Sequence, residues 1–182
     1  MAELGYALEA LGQLLWAWPF VRSGLHHAPA VQVDRRARWG ILLQGLAFPV
    51  VWSSRFWLQP VPGWRVGMAA IWLALASLLS WSAVRALGRN LRVDAALGAE
   101  HDLVRSGPYR VVRHPVYTSL FCLLLGQASV VAGWRRLGLA LLLMVVGTEI
   151  RVRLEDRLLA ARFGEAFASF RSRVSAYLPG LR

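Results

Sequence analysis

The residues able to do chemistry in this 182-residue chain crowd into two stretches. The first reads His101-Asp102-Leu103-Val104, then Ser106-Gly107-Pro108-Tyr109, then Arg113-His114-Pro115-Val116-Tyr117. The second runs from Glu149 and Arg151 through Glu155-Asp156-Arg157-Leu158-Leu159 to Phe163-Gly164. Arg151 and Glu155 are four apart, so a helix places them on one face, while Arg153 points elsewhere. Such a pair is either an exposed ion pair contributing about 0.2–0.5 kcal/mol or a pair of opposite charges presented to a ligand; Arg before Glu is the weaker order for the first. His114 reads equally as a helix-start residue, a satisfied buried histidine or a catalytic group, and His101 as a loop residue or a ligand-binding one. His26 and His27 lack any partner pattern and read as loop residues. Cys122 is the single cysteine, which excludes an intrachain disulfide and a cysteine metal site. It sits in an apolar run as a small core residue. No metal site is expected.

The elements that must position these residues are apolar. Hydrophobic residues make up 57% of the chain and charged ones 17%, against about 45–50% and 25% in soluble domains. A membrane protein is the class this implies, and nine Trp and the apolar content exclude disorder. Five runs read as spanning helices, each needing about 20 apolar residues. They are Leu4–Phe20, interrupted by Pro19; Trp39–Leu58, with Pro49; Trp64–Leu87, whose Arg65 and Arg85 snorkel at its ends; Val116–Trp134; and Leu137–Ile150, which continues as helix into Arg151–Phe163. The fold expected is an all-α integral membrane bundle. Its parts are three N-terminal spans (1–87), a cytoplasmic loop (88–115), a helical hairpin (116–150) and a C-terminal helix and tail (151–182).

The net charge of +11 comes with no Lys at all. The arginines lie between apolar runs, which points to loops facing one compartment rather than to nucleic acid. Four fall in the 22–38 connection, five in 89–113 and seven after residue 150. With five spans these three regions share one side, so the positive-inside rule puts the N-terminus outside and the C-terminus in the cytoplasm, in a bacterial inner membrane. Arg135-Arg136 is a mild violation. The connection of nearly 30 residues before Val116 is long for a compact chain, and such loops usually carry function. Its Leu103, Val104, Tyr109, Val111 and Val112 give it apolar anchors.

Those motifs, in that order, resemble the isoprenylcysteine carboxyl methyltransferase family, a group of integral-membrane methyltransferases related to phospholipid N-methyltransferases. His101 to Val104, Tyr109 and Arg113-His114-Pro115-Val116-Tyr117 look like its cofactor signature. Glu155-Asp156-Arg157-Leu158-Leu159 looks like its two-acid motif, and Arg173-Val174 through Pro179 like its ending. The likeness covers roughly the C-terminal half. Ser119 stands where the family usually has Gly, Asp156 where Glu is common, and Phe167 and Phe170 where Tyr is usual.

The resemblance implies S-adenosylmethionine as cofactor, held by His101, Asp102, Leu103, Val104, Tyr109, Arg113, His114, Pro115, Val116, Tyr117 and Glu155. It implies Arg151 and Glu155 as the catalytic pair, and a lipophilic acceptor that enters from the bilayer. The residue types suit that cofactor: Glu155 for its amine, Arg113 and His114 for its carboxylate, Tyr109 and Tyr117 for its base. A carboxylate acceptor needs no base, whereas an amine or thiol would give its proton to Glu155 or His114. Phospholipid or small-thiol methylation is the alternative within this chemistry, and an NADPH-dependent sterol-type membrane reductase the alternative outside it.

Overall fold

The computed structural model describes residues 2–23, 30–53, 60–92, 96–98 and 102–180. Six helices carry the chain: α1 (Ala2–Arg22), α2 (Ala37–Trp52), α3 (Gly63–Leu87), α4 (Pro115–Val131), α5 (Trp134–Phe163) and α6 (Glu165–Arg173). The helical class expected from the sequence is the one adopted. Among the described residues one small sheet is added, an antiparallel ribbon of β1 (Ala30–Val33) and β2 (Ala96–Gly98).

Helix directions follow from which small residues meet. Gly5 of α1 faces Val66 and Val130, and Gly12 faces Leu73, as does Gly126. Hence α1 and α3 run parallel and α4 opposes both. In α2 and α5, Gly40 faces Gly147 and Arg151, and Gln44 Nε2 donates to Thr148 Oγ1 at 2.9 Å, so these two are antiparallel. The helices therefore alternate in direction, and the Arg-rich connections gather at one end, where β1 and β2 pair across them. The central α4 is buried on most faces, through Phe121, Cys122, Leu123 and Leu124 among others, as its unbroken apolar run requires.

Several boundaries differ from the sequence expectation. α1 does not stop at Pro19. The proline lacks the N–H that would reach the Leu15 carbonyl; Trp81 Nε1 donates to that carbonyl at 3.0 Å instead, and the helix runs on to Arg22. α2 ends at Trp52, and residues 54–58 of the expected Trp39–Leu58 lie outside the described residues. α4 ends at Val131, because Ala132 and Gly133 are extended and Trp134 begins the next helix. Arg65 does not merely snorkel. Its Nη2 donates to the Ala132 carbonyl at 2.7 Å and its Nε to that of Ser129, which closes the C-terminus of α4. α5 is 30 residues long and joins Leu137–Ile150 to the charged segment, as expected. It ends where Gly164 takes φ +51°, a conformation glycine adopts without steric cost. Among the described residues one helix, with its terminal turn Gly63–Asn90, is by length and composition able to cross a membrane.

The contact of α2 with α5 leaves no room for a side chain at Gly40. A methyl group there would stand 2.5 Å from Arg151 Cγ and 2.7 Å from the Gly147 carbonyl oxygen. On the same helix, Gly45 has nothing within 4 Å. Gly40→Ala should therefore lower stability by about 1–3 kcal/mol, the usual cost of overpacking. Gly45→Ala should be neutral or slightly stabilising, since Ala is the better helix former. Thermal melts of the two variants check this; equal melting temperatures would refute the close contact.

Candidate active site

The site is built where α4 begins. Ser106-Gly107-Pro108 opens a short 3-10 turn, Gly107–Arg110, which buries Tyr109. The chain then extends through Val112 and Arg113, and Pro115 occupies the first turn of α4, where the missing N–H costs nothing. A backbone strap fixes this approach. Arg113 N–H donates to the Ser175 carbonyl and His114 N–H to that of Ala176, both at 2.8 Å. Thr118 Oγ1 donates to the Tyr177 carbonyl at 2.6 Å, and the Tyr177 ring stacks on Phe121. Tyr177 OH also donates to Glu149, which pairs with Arg153, so that acid is satisfied where α5 leaves the apolar region.

Around this start five charged groups interlock. Asp156 Oδ2 accepts from Arg113 Nη2 at 3.0 Å, and Asp156 Oδ1 lies 2.9 Å from His114 Nε2. The other ring nitrogen, Nδ1, lies 3.2 Å from Glu155 Oε2. Glu155 Oε1 accepts from Arg151 Nη2 at 3.1 Å and from the hydroxyl of Tyr117. The Arg151 guanidinium sits 5.3 Å over the Tyr117 ring, a cation–π geometry. Arg113, His114, Tyr117, Arg151 and Asp156 are all buried. The ion pair of Arg151 and Glu155 is thus not an exposed one.

An imidazole between two carboxylates donates through both nitrogens only as imidazolium. Burial alone would lower the His114 pKa, but the hydrogen bonds and charges of Asp156 and Glu155 outweigh it and push it up to about 9. Burial would likewise raise Glu155 and Asp156; the His114 cation, joined by Arg151 and Arg113 respectively, holds both below the usual carboxylate range. Burial and the nearby Glu155 raise Tyr109, which stays a neutral phenol. With both ring nitrogens facing carboxylates, the imidazolium is the favoured form, and the environment works against the base role expected as an option for His114.

These directions fix a pH dependence. A histidine raised on folding stabilises the fold fully below its unfolded value of about 6.5, and that contribution disappears as pH rises through about 9. The lowered carboxylates contribute above their unfolded values and lose that contribution as pH falls through their folded ones. The melting temperature should be highest near pH 5–6.5 and fall between pH 6.5 and 9. A flat or rising melting temperature across that second window would contradict the clamped imidazolium.

One cavity of about 430 Å³ brings the expected residues together. Asp102, Leu103, Val104, Tyr109, Arg113, His114, Val116, Tyr117, Arg151 and Glu155 all line it. Pro115 is buried in the first turn of α4 and shapes the backbone there. His101 lies outside the described residues, as do His26 and His27. Asp102 sits at the rim, ion-paired with Arg89 at 2.9 Å, and its N–H donates to Asn90 Oδ1.

Leu158 and Leu159 of the two-acid motif line the cavity one turn after Glu155, as helical period requires. Two contributions were not foreseen. Trp16, Ala17, Phe20 and Val21 of α1 form one wall, and nothing in their spacing announces it. Asp156, which carries the Arg113 and His114 contacts, was read only as a variant of the acid motif. Arg113, expected as a ligand donor, spends both terminal nitrogens on Asp156 and on the carbonyls of Val174 and Arg171. Its Nε is buried and has no hydrogen-bond partner among the described residues. Among the described residues no cluster of three or more His, Cys, Asp or Glu is arranged to hold a metal.

A helical frame, a cavity lined by interlocked cations and carboxylates, and an apolar wall together make a small-molecule site. Residues 64–166 match the phospholipid methyltransferase family. That is more than half of the chain, and the protein belongs to this family, which is related to the isoprenylcysteine carboxyl methyltransferases. Among curated proteins, the chain is 34% identical over 128 residues to the cobalt-zinc-cadmium resistance protein CzcN of Cupriavidus metallidurans. The alignment covers 69% of this chain and 52% of that protein, so the chain spans about half the length of that relative.

Proposed function

We propose that this protein transfers the methyl group of S-adenosylmethionine to a lipophilic acceptor at a membrane. The observation that carries the reading is the convergence of the 102–104 segment, the start of α4 and Glu155 on one cavity. Its volume falls in the 300–1,000 Å³ range of small-molecule sites. The residues present suit the cofactor. Glu155 and Asp102 offer carboxylates to its amine, the unpartnered Nε–H of Arg113 suits its carboxylate, and Tyr109 with Leu103 and Leu158 offers an apolar slot for the base. When bound, the cofactor supplies an electrophilic methyl group on a sulfonium.

The chain's own work is alignment. Arg151 holds an acceptor against Glu155 and Tyr117, and the apolar walls keep water away; orientation of this kind replaces several kcal/mol of activation entropy. His114 is held as a cation and Glu155 as a poorly basic carboxylate. The site is therefore better suited to an acceptor that arrives already nucleophilic, such as a carboxylate or thiolate, than to one that must first lose a proton. Prenylcysteine-like acids and small thiols are therefore the first classes to try, and phospholipid amines the alternative.

The membrane setting is part of this proposal. Large apolar side chains point outward from α1 (Leu4, Leu11, Leu14), α3 (Met68, Ile71, Leu75, Leu78) and α5 (Leu139, Leu142, Val145), more than a soluble surface tolerates in contiguous patches. Exposed Trp64 and Trp81 bracket the α3 stripe. Their separation along the helix is about 25 Å at 1.5 Å per residue, close to a hydrocarbon core of about 30 Å. Within this proposal the bundle has five spans, with the site end in the cytoplasm and the N-terminus outside; the side is chosen from the arginine distribution.

Detergent-purified protein should melt at higher temperature with S-adenosylhomocysteine, by an increment equivalent to about 2.7 kcal/mol at a hundred times Kd. NADPH should have no effect. Stabilisation by NADPH alone would overturn the proposal in favour of a reductase.

A further inference from the structure

We infer that Trp16, held in place by Ser119, is a specificity-determining residue that closes the membrane-ward end of the cavity and restricts the acceptor to a short apolar group next to its reacting atom. The inference rests on the methyl-transfer reading. Its ground is the way α1 meets α4. Trp16 Nε1 donates to Ser119 Oγ at 3.0 Å, and Ser119 Oγ donates in turn to the Val116 carbonyl at 2.6 Å. Ser119 is fully buried. The Trp16 carbonyl accepts from Ser80 Oγ at 3.0 Å, and the indole lies 5.1 Å from the Phe20 ring. The side chain is thus fixed by α4 and its backbone by α3.

Its position matters as much as its anchoring. α1 runs antiparallel to α4, so Phe20 stands nearer the charged cluster at the start of α4, and Trp16 a turn deeper. One turn deeper again there is no space: a methyl group on Gly12 would stand 2.9 Å from Leu73. Trp16 is the last α1 residue on the cavity wall, and its indole occupies the path that a long alkyl chain would take between α1 and α4. A cavity of about 430 Å³ lies at the small end of the range for ligand sites, so it cannot enclose a cofactor and a long chain together. A residue without a side-chain oxygen at position 119 would leave the indole N–H without its acceptor, and the ring free to leave that path.

The test uses 5′-alkylthio-5′-deoxyadenosines with alkyl groups from methyl to dodecyl, which occupy the cofactor position and extend towards the acceptor. Affinity is read by calorimetry on the full detergent-purified chain. Wild type should bind the short members and reject the long ones. Trp16→Ala should accept the long ones, gaining about tenfold or more for each added group newly admitted, as hydrophobic pockets discriminate on that scale. Ser119→Ala should give a smaller gain in the same direction, and Trp16→Phe, which keeps a ring but not the N–H, should resemble Ser119→Ala. These two milder variants decide the matter if Trp16→Ala does not fold. An identical chain-length profile in wild type and variants, with short members still bound, overturns the role of Trp16 alone. Failure of wild type to bind any member, or S-adenosylhomocysteine, overturns the methyltransferase reading beneath it.

Discussion

Asp156→Ala is expected to cost about 3–5 kcal/mol of stability, the scale of breaking a buried ion pair by removing one partner, and to abolish binding of S-adenosylhomocysteine. Its carboxylate is the one group that touches both Arg113 and His114, at 3.0 and 2.9 Å, and it is buried. Without it two cations face an apolar interior with Glu155 as their nearest counter-charge. His114 would lose the stronger of its carboxylate contacts, and the guanidinium of Arg113 would keep only the carbonyls of Val174 and Arg171. Because both residues line the cavity, the damage reaches the binding wall directly. Asp156→Asn keeps the shape and one acceptor oxygen and should fall between wild type and the alanine variant. Melting curves and calorimetry with S-adenosylhomocysteine measure the two effects. An alanine variant with wild-type melting temperature and affinity would show that the Arg113–His114–Asp156 unit holds nothing together.

The part of this site that the sequence made legible is the part with a fixed repeat. Arg151 and Glu155 meet because helical period puts residues four apart on one face, and α5 turns out to be continuous through both. Leu158 and Leu159 follow by the same rule. The ordered motifs from Asp102 to Tyr117 were legible through their likeness to a family. What stayed hidden depends on packing between distant elements. Residues 113 and 156 find each other only because the approach to α4 packs against α5, and no local spacing encodes that contact. The strap at Val174 to Tyr177 acts largely through backbone carbonyls, which every residue possesses and which leave no mark in a sequence. Nothing local marks Trp16, because its acceptor, Ser119, lies on another helix. The helix ends failed for a related reason. Pro19 breaks an isolated helix, but not one whose freed carbonyl meets Trp81 from a neighbouring helix.

Arg151→Ala and Glu155→Ala should both depress methyl transfer by about a hundredfold or more, the effect of misplacing reacting groups by about 1 Å, yet through different constants. Arg151 is wedged between Gly40, the Tyr117 ring and Glu155. In the proposed mechanism it orients the acceptor, so its loss should raise the acceptor KM and leave S-adenosylhomocysteine affinity within a few fold. Glu155 holds Arg151, His114 and Tyr117 together and is the carboxylate offered to the cofactor amine. Its loss should weaken S-adenosylhomocysteine binding and lower kcat. Glu155→Gln separates charge from shape: it retains an acceptor for Tyr117 and Arg151 but no counter-charge for His114, whose pKa should then fall from about 9. The pH at which melting temperature declines should move down with it. An exposed ion pair would show none of this, since such pairs contribute about 0–1 kcal/mol and nothing to turnover. The assay is transfer of labelled methyl from S-adenosylmethionine to a prenylcysteine, thiol or phospholipid acceptor, with helicity as the control for folding. Near-wild-type turnover by both folded alanine variants would make Arg151 and Glu155 a structural pair and place the reacting centre elsewhere on the cavity wall.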